Sequence, residues 1–259
     1  MKKIRMIHPL FPCIVEKMAQ SKAFGEEIGE SNTIKLSPLE PGLASILGNL
    51  IRRLLYRYTS GTAITSAWIS GARHELSPLE GFQEEIPDIL HAFSRIPVRM
   101  DHYGPAQIFL KKQGPGTVTT NDLVPSLGVE ILSRPTYLFS LNGNASAYMV
   151  LNVEVGKGSF EGQGIRLQNY KKQYFDDPIS QALDKQKNAL LGCHFTVPHQ
   201  FSPIRKVTYL TNSYTHYDEL ILTVITNGTI DASDAFEGAL IFFLQKLGQI
   251  RTASSSNKL

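Results

Sequence analysis

Near the end of this chain six apolar residues stand in a row, "ALIFFL", Ala239 to Leu244. Helix signals precede them. Asp231 offers an N-cap, and Asp234 stands three residues on, where a carboxylate favours the positive helix end. Six successive apolar residues cover every side of a helix, so one core does not shield them all. A surface helix would keep a polar face. This one needs a second partner, and a second copy of the chain is the simplest source. Phe236, Leu240, Phe243, Leu244 and Leu247 are therefore expected at a helix-against-helix contact between two copies.

A second helix poses a different question. In "EPGLASILGNLIRRLL", Glu40 to Leu55, the apolar residues Leu43, Ile46, Leu47, Leu50, Ile51, Leu54 and Leu55 recur at helical spacing and continue to Tyr58, a clean amphipathic pattern. Yet Gly48 sits within it at a cost of about 1 kcal/mol against alanine, which suits a place where another helix approaches closely. Projection puts Arg53 and Arg57 along one edge of the apolar stripe and Arg52 on the outward side. From the residues alone, these arginines are favourable charges at a helix C-terminus.

Between the helices the chain alternates. "NTIKLSPL" and "TAITSAWISG" read as strands. "FQEEIPDILHAFSRI" reads as a helix broken early by Pro87. "AQIFLKK", "VTTNDL", "VEILS", "TYLFSL" and "AYMVLNVEVG" read as short strands separated by turn residues. From about 159 to 190 the sequence is polar and glycine-spotted, and reads as an insertion or loop. "KVTYLTN" and "ELILTVITNGT" restore strand character, the second ending on the turn dipeptide Asn227-Gly228. The pattern predicts an α+β fold. The last helix is expected to end near Ile250, leaving "RTASSSNKL" as a short disordered tail.

Composition narrows the function classes. The chain has 259 residues, 42% hydrophobic and 19% charged, with 26 basic and 23 acidic residues giving a net charge of +3. That mild excess is scattered over "MKKIR", "NLIRRLLYR" and "YKKQY" rather than gathered into a nucleic-acid patch. Cys13 and Cys193 form no C-x-x-C pair and read as small buried hydrophobes in a reducing compartment. No apolar run reaches the 18 or so residues of a membrane span, and the N-terminus carries neither a secretory nor a transit pattern.

Catalytic signatures fail on spacing. His74-Glu75 opens like H-E-x-x-H, but Pro78 stands where the second histidine belongs. "GKGSFEGQG" has Glu161 in place of the last glycine of a dinucleotide fingerprint and no GK[ST]. No G-x-S-x-G elbow is present, and the seven histidines show no ligand spacing. The expectation is a chain with no catalytic residues, no metal and no cofactor.

Four segments in order resemble one family, the alpha subunit of bacterial-type multi-subunit RNA polymerase. They are "SPLEPGLASILGNLIRRLL", "ARHELSPLEGFQEEIPDIL", "FSPIRKVTY" and "DELILTVITNGTIDASDAF". The likeness runs from about residue 30 to 247. It departs from the family at Leu43-Ala44, in "GSFEGQG", and in the longer stretch between Gly158 and Phe201.

The resemblance implies two domains, a discontinuous dimerisation domain (1–60 plus 201–259) and an inserted strand-rich domain (61–200). It implies a non-catalytic subunit that pairs with itself and docks the two large catalytic subunits, meeting DNA only through the assembled complex. It adds Leu47, Gly48, Ile51 and Leu54 to the dimer contact, and assigns Arg53, with Arg52, Arg57, His74 and Glu75, to large-subunit docking. The C-terminal DNA-binding domain of the bacterial members has no counterpart here, so insensitivity to A/T-rich upstream elements is expected. With no transit peptide, this points to a plastid-encoded subunit, the bacterial cytoplasm being the alternative. Outside the resemblance stand an autonomous basic nucleic-acid binder and an α+β enzyme with an unrecognised site; within it, an archaeal or eukaryotic assembly subunit.

Overall fold

The structure, a computed structural model, describes residues 14–24, 27–102, 104–158, 165–166 and 192–256. Two long strands come first, β1 (Ile14–Phe24) and β2 (Glu27–Leu39), followed by helix α1 (Leu43–Tyr58) and strand β3 (Ser60–Ser70). Helix α2 (Ile86–Ser94) leads into a run of strands: β4 (Val98–Met100), β5 (Ala106–Gln113), β6 (Gly116–Thr119), β7 (Leu123–Pro125), β8 (Val129–Ile131), β9 (Tyr137–Leu141), β10 (Ser146–Lys157), β11 (Ile165–Arg166) and β12 (Gly192–Thr196). A hairpin, β13 (Ile204–Ser213) and β14 (Asp218–Thr226), precedes helix α3 (Ala232–Ser256). The fold is α+β, as the patterning predicts.

The apolar side chains gather around two sheets. An antiparallel sheet in the order β1-β2-β14-β13 carries α1 and α3 on one face. Ile34 and Leu36 of β2, Leu220, Leu222 and Val224 of β14, and Val207 of β13 point to that face and pack against Ile51, Leu54, Leu55, Ala235 and Phe236. The second sheet runs β12-β3-β10-β5-β7, with β11 beside β10. One of its faces, with Ala67, Ile69, Ile108, Leu110, Met149 and Leu151, meets Ile86, Ile89, Leu90 and Phe93 of α2. Each large side chain buried there contributes about 1.5–3 kcal/mol.

Polar ties join elements distant in sequence. Asn227 Oδ1 accepts from the backbone N–H and hydroxyl of Thr229 at 3.1 and 2.6 Å, folding the chain back toward α3. Asp231 caps that helix, accepting from the Ser233 N–H at 3.2 Å. The same carboxylate accepts from Asn32 Nδ2 of β2 at 2.8 Å, and Asn32 is 4% exposed. Asp218 Oδ2 accepts from the Gly42 N–H at 2.7 Å, fixing the start of α1 to β14. Where the chain passes from α1 into β3 of the second sheet, a Cβ on Gly61 would stand 2.0 Å from the Phe201 carbonyl oxygen; only glycine lets the two backbones pass so closely.

Several local expectations change. Pro87 lies in the first turn of α2 and opens the helix instead of breaking it, since the N–H it lacks would have no acceptor in the helix. "VTTNDL" is not one strand: β6 ends at Thr119 and a 3-10 turn, Thr120–Asp122, follows. Asp122 stops the strand by accepting from the Thr119 N–H at 2.8 Å. β1 is an additional strand within the polar start. Helix α3 continues to Ser256, so most of "RTASSSNKL" is helical rather than a disordered tail. Cys193 is half-buried rather than enclosed, with Sγ 3.2 Å from the Arg73 carbonyl. Cys13, "MKKIR", "YKKQY" and all of the 159–190 stretch except β11 lie outside the described residues.

Candidate interaction surfaces

Helix α3 changes character along its length. Ala232, Ala235, Phe236 and Ala239 in its first turns are buried in the chain's own core. From Leu244 to Ser254 every residue is exposed. At 1.5 Å per residue, the part from Ile241 to Ser256 extends about 24 Å. Leu240, Phe243, Leu244, Leu247 and Ile250 recur along it at intervals of three and four, which places them on one face. Leu244 is 65% and Ile250 64% exposed, an apolar stripe too long to be incidental.

The point where α3 emerges is held by aromatic contacts. Tyr58, at the end of α1, stacks on Phe242 with ring centroids 4.5 Å apart. Two ammonium groups lie over the Phe242 ring, Lys157 of β10 at 5.3 Å and Lys246 at 5.7 Å. These arrangements use both the ring stack and the cation attraction of its face. Phe242 and Ile250 are absent from the contact residues expected from sequence, although Phe242 lies within the "ALIFFL" run itself. Their roles depend on where the helix leaves the sheet, which no run of letters states.

The other expected contact residues are distributed as follows. Gly48, Ile51, Leu54 and Phe236 are buried within one chain. Leu47, Leu240 and Phe243 are half-buried against the same core, and Leu247 is exposed. The expected reason for Gly48 is corrected: a Cβ there would stand 2.6 Å from the Tyr209 ring of β13. The glycine admits an aromatic ring from the sheet, not another helix. Tyr56, on the same helix, accepts from the Val207 N–H through its hydroxyl at 2.9 Å, fastening α1 across β13.

Arg52, Arg53 and Arg57 are all exposed on α1. Arg52 leans over the Tyr209 ring at 5.7 Å, so it follows the sheet side and not the outward side. Arg53 and Arg57, four residues apart, share a face. Among the described residues neither meets a carboxylate. His74 and Glu75 are also exposed, in the loop after β3, whose turn is closed by the Ser77 hydroxyl accepting from the His74 N–H at 2.9 Å. β3 begins beside the end of α1 and rises about 3.3 Å per residue, so some 33 Å of strand separates the two groups. The structure does not bring them together. No group of three or more His, Cys, Asp or Glu suited to a metal occurs among the described residues.

Comparisons with known proteins agree with this architecture. Residues 67–171 match the family model described as the RNA polymerase Rpb3/RpoA insert domain. Over 246 residues the chain is 29% identical to the DNA-directed RNA polymerase subunit alpha of Renibacterium salmoninarum, a match that covers 92% of this chain and 67% of that protein.

Proposed function

We propose, from its likeness to the RNA polymerase Rpb3/RpoA insert domain and to a bacterial RNA polymerase alpha subunit, that the chain is an alpha-type subunit of bacterial-type RNA polymerase, a non-catalytic platform that homodimerises and seats the two large catalytic subunits. One observation carries the reading. Helix α3 spends its first turns on its own sheet, half-buries Leu240 and Phe243 against it, and then presents Leu244, Leu247 and Ile250 to solvent. A two-fold axis would set that stripe against its copy and bury both at once.

The domains in this reading are 1–60 plus 201–259 for dimerisation and 61–200 for the insert. Arg53 and Arg57, exposed beside the dimer stripe, dock a large subunit, with Arg52 flanking them. Arginine's planar fork suits carboxylates on a partner. His74 and Glu75, far along β3, form a second and separate contact. DNA is met only through the assembled enzyme, whose nucleotidyltransfer belongs to the large subunits. The plastid stroma is the proposed compartment, with the bacterial cytoplasm the other one compatible with this family.

Sedimentation of the purified chain at micromolar concentration tests dimerisation directly; a monomer would refute the platform. Co-expression with the two large subunits, followed by affinity capture of this chain, tests the rest. Recovery of both large subunits is expected.

A further inference from the structure

We infer that the inserted sheet, through Lys157, sets the direction in which the free half of α3 projects, and so positions the contact between two copies. The inference rests on the dimer reading above. Its centre is Phe242, half-buried where α3 leaves its own sheet. Two groups from outside α3 hold the ring. Tyr58, the last residue of α1, stacks on it with centroids 4.5 Å apart, and the Lys157 ammonium lies over it at 5.3 Å. Lys246 also lies over the ring, at 5.7 Å, but it moves with the helix and ties it to nothing else. Two residues span about 200° of a helix, so Phe242 faces away from Leu244 and from the stripe a second copy would cover.

Both holding groups come from one tightly packed joint. Lys157 ends β10 and pairs with Ser60, the first residue of β3, which follows Tyr58 by two residues. One pair further in, Gly156 faces Gly61, and Phe201 wedges against both glycines. A Cβ on Gly156 would stand 2.5 Å from the Phe201 ring, and Phe201 is 2% exposed. Contacts this close leave the inserted sheet no slack, so a shift of the sheet carries Lys157 with it. Among the described residues the ammonium meets no carboxylate. Its attraction goes to the ring face of Phe242.

The clamp therefore fixes α3 before a second copy arrives. A surface already held in its docking geometry loses less order on binding than one that must be immobilised at that moment. Without the clamp, association weakens although no residue that meets the other copy has changed. Lys157 is a positioning residue in this sense. Coupling of this kind is reciprocal, so association in turn steadies the Lys157 end of β10.

Sedimentation equilibrium of the full chain tests the inference with three proteins. They are the parent, Lys157→Met, which keeps an apolar stem and loses the charge, and Lys157→Arg, which keeps a cation for the ring. Lys157→Met should weaken the dimer about fivefold to tenfold, and Lys157→Arg should restore it to within about twofold. Amide hydrogen exchange of the dilute chain should show α3 beyond Leu244 opening faster in Lys157→Met, while the strands of both sheets keep their protection. A dimer of equal strength in the parent and Lys157→Met, or a Lys157→Arg dimer as weak as that of Lys157→Met, would overturn the inference and leave the platform standing. Sheets that lose protection along with α3 would also overturn it, since Lys157 would then hold the insert together and not aim the helix. A parent that stays monomeric would refute the platform and the inference together.

Discussion

The two sheets differ in whether they complete their own cores. The six-stranded sheet closes against α2, where Ile86, Ile89, Leu90 and Phe93 are each at most 4% exposed. The four-stranded sheet covers one face with α1 and the first turns of α3, then lets α3 run on into solvent with Leu244 and Ile250 uncovered. Both are antiparallel and similarly apolar on their inner faces. The contrast shows that strand patterning sets what a sheet buries, while helix length relative to the sheet sets what is left for a partner. A self-sufficient core has a stability independent of concentration; an unfinished one links stability to association.

The largest expected effect breaks the contrast at its open end. Leu244→Asp removes one buried side chain from each of two copies, which costs the dimer about 3–6 kcal/mol in all. Sedimentation should show monomers whose circular dichroism is unchanged, because Leu244 is 65% exposed and belongs to no core cluster of the described residues. Phe243→Asp is a harsher variant of the same test, since Phe243 is half-buried against the chain's own core and its loss also threatens solubility. An intact Leu244→Asp dimer would place the interface elsewhere.

The closed core should fail differently. Phe93→Ala leaves a cavity in the insert and is expected to cost about 3–5 kcal/mol of stability. Urea unfolding should show an earlier transition at every protein concentration. A midpoint that recovers as the chain is concentrated would mean that this core too is completed by a partner.

Arg53→Ala sharpens the comparison by separating the two surfaces of the first sheet's helices. Truncating one member of a desolvated charge pair costs about 2–5 kcal/mol, so capture of a large subunit should fall while the dimer peak stays. Arg52→Ala should be milder, because its guanidinium rests on Tyr209. Equal losses would show that both arginines reach the partner.

The smallest effect lies within the insert. Partial burial raises the Asp122 carboxyl, but hydrogen bonds from Lys112 and the Thr119 N–H, with the Lys112 charge, outweigh it and hold the group below its ordinary value. Its folded value is thus depressed. The stability it supplies is present above the unfolded value, about 4, and is lost as pH falls through the lower folded one. Asp122→Asn should flatten that acid limb by on the order of 0.5 kcal/mol, as for a partly exposed ion pair. Thermal melts between about pH 5 and 2 measure it, and an identical slope in both proteins would remove the ion pair from the stability of the insert.

Elements whose side chains alternate between core and solvent were legible from the sequence. α1, β13 and β14 stand where periodicity places them, because each has one buried face to encode; β3, β5 and β10 are buried in runs on both faces and were legible from their apolar strand-forming residues. The exposed positions of Arg53 and Arg57 on a shared face also followed from helical projection. Asp231 was legible as a cap because its partner, the Ser233 N–H, is local.

What tertiary structure alone decided involves partners distant along the chain or backbone pairing with no side-chain code. β1 exists through its ladder to β2, which its polar residues do not announce. Gly48 signals a close approach, but the group approaching is Tyr209, far along the chain. The continuous apolar run in α3 demanded a second surface without saying which residues the first would consume. That division follows from where the four-stranded sheet ends beneath the helix: Ala235, Phe236 and Ala239 lie over the sheet and Leu244, Leu247 and Ile250 lie beyond it. Amphipathic period is a property of neighbouring residues and is written in sequence; the reach of one element past another arises only when both are placed.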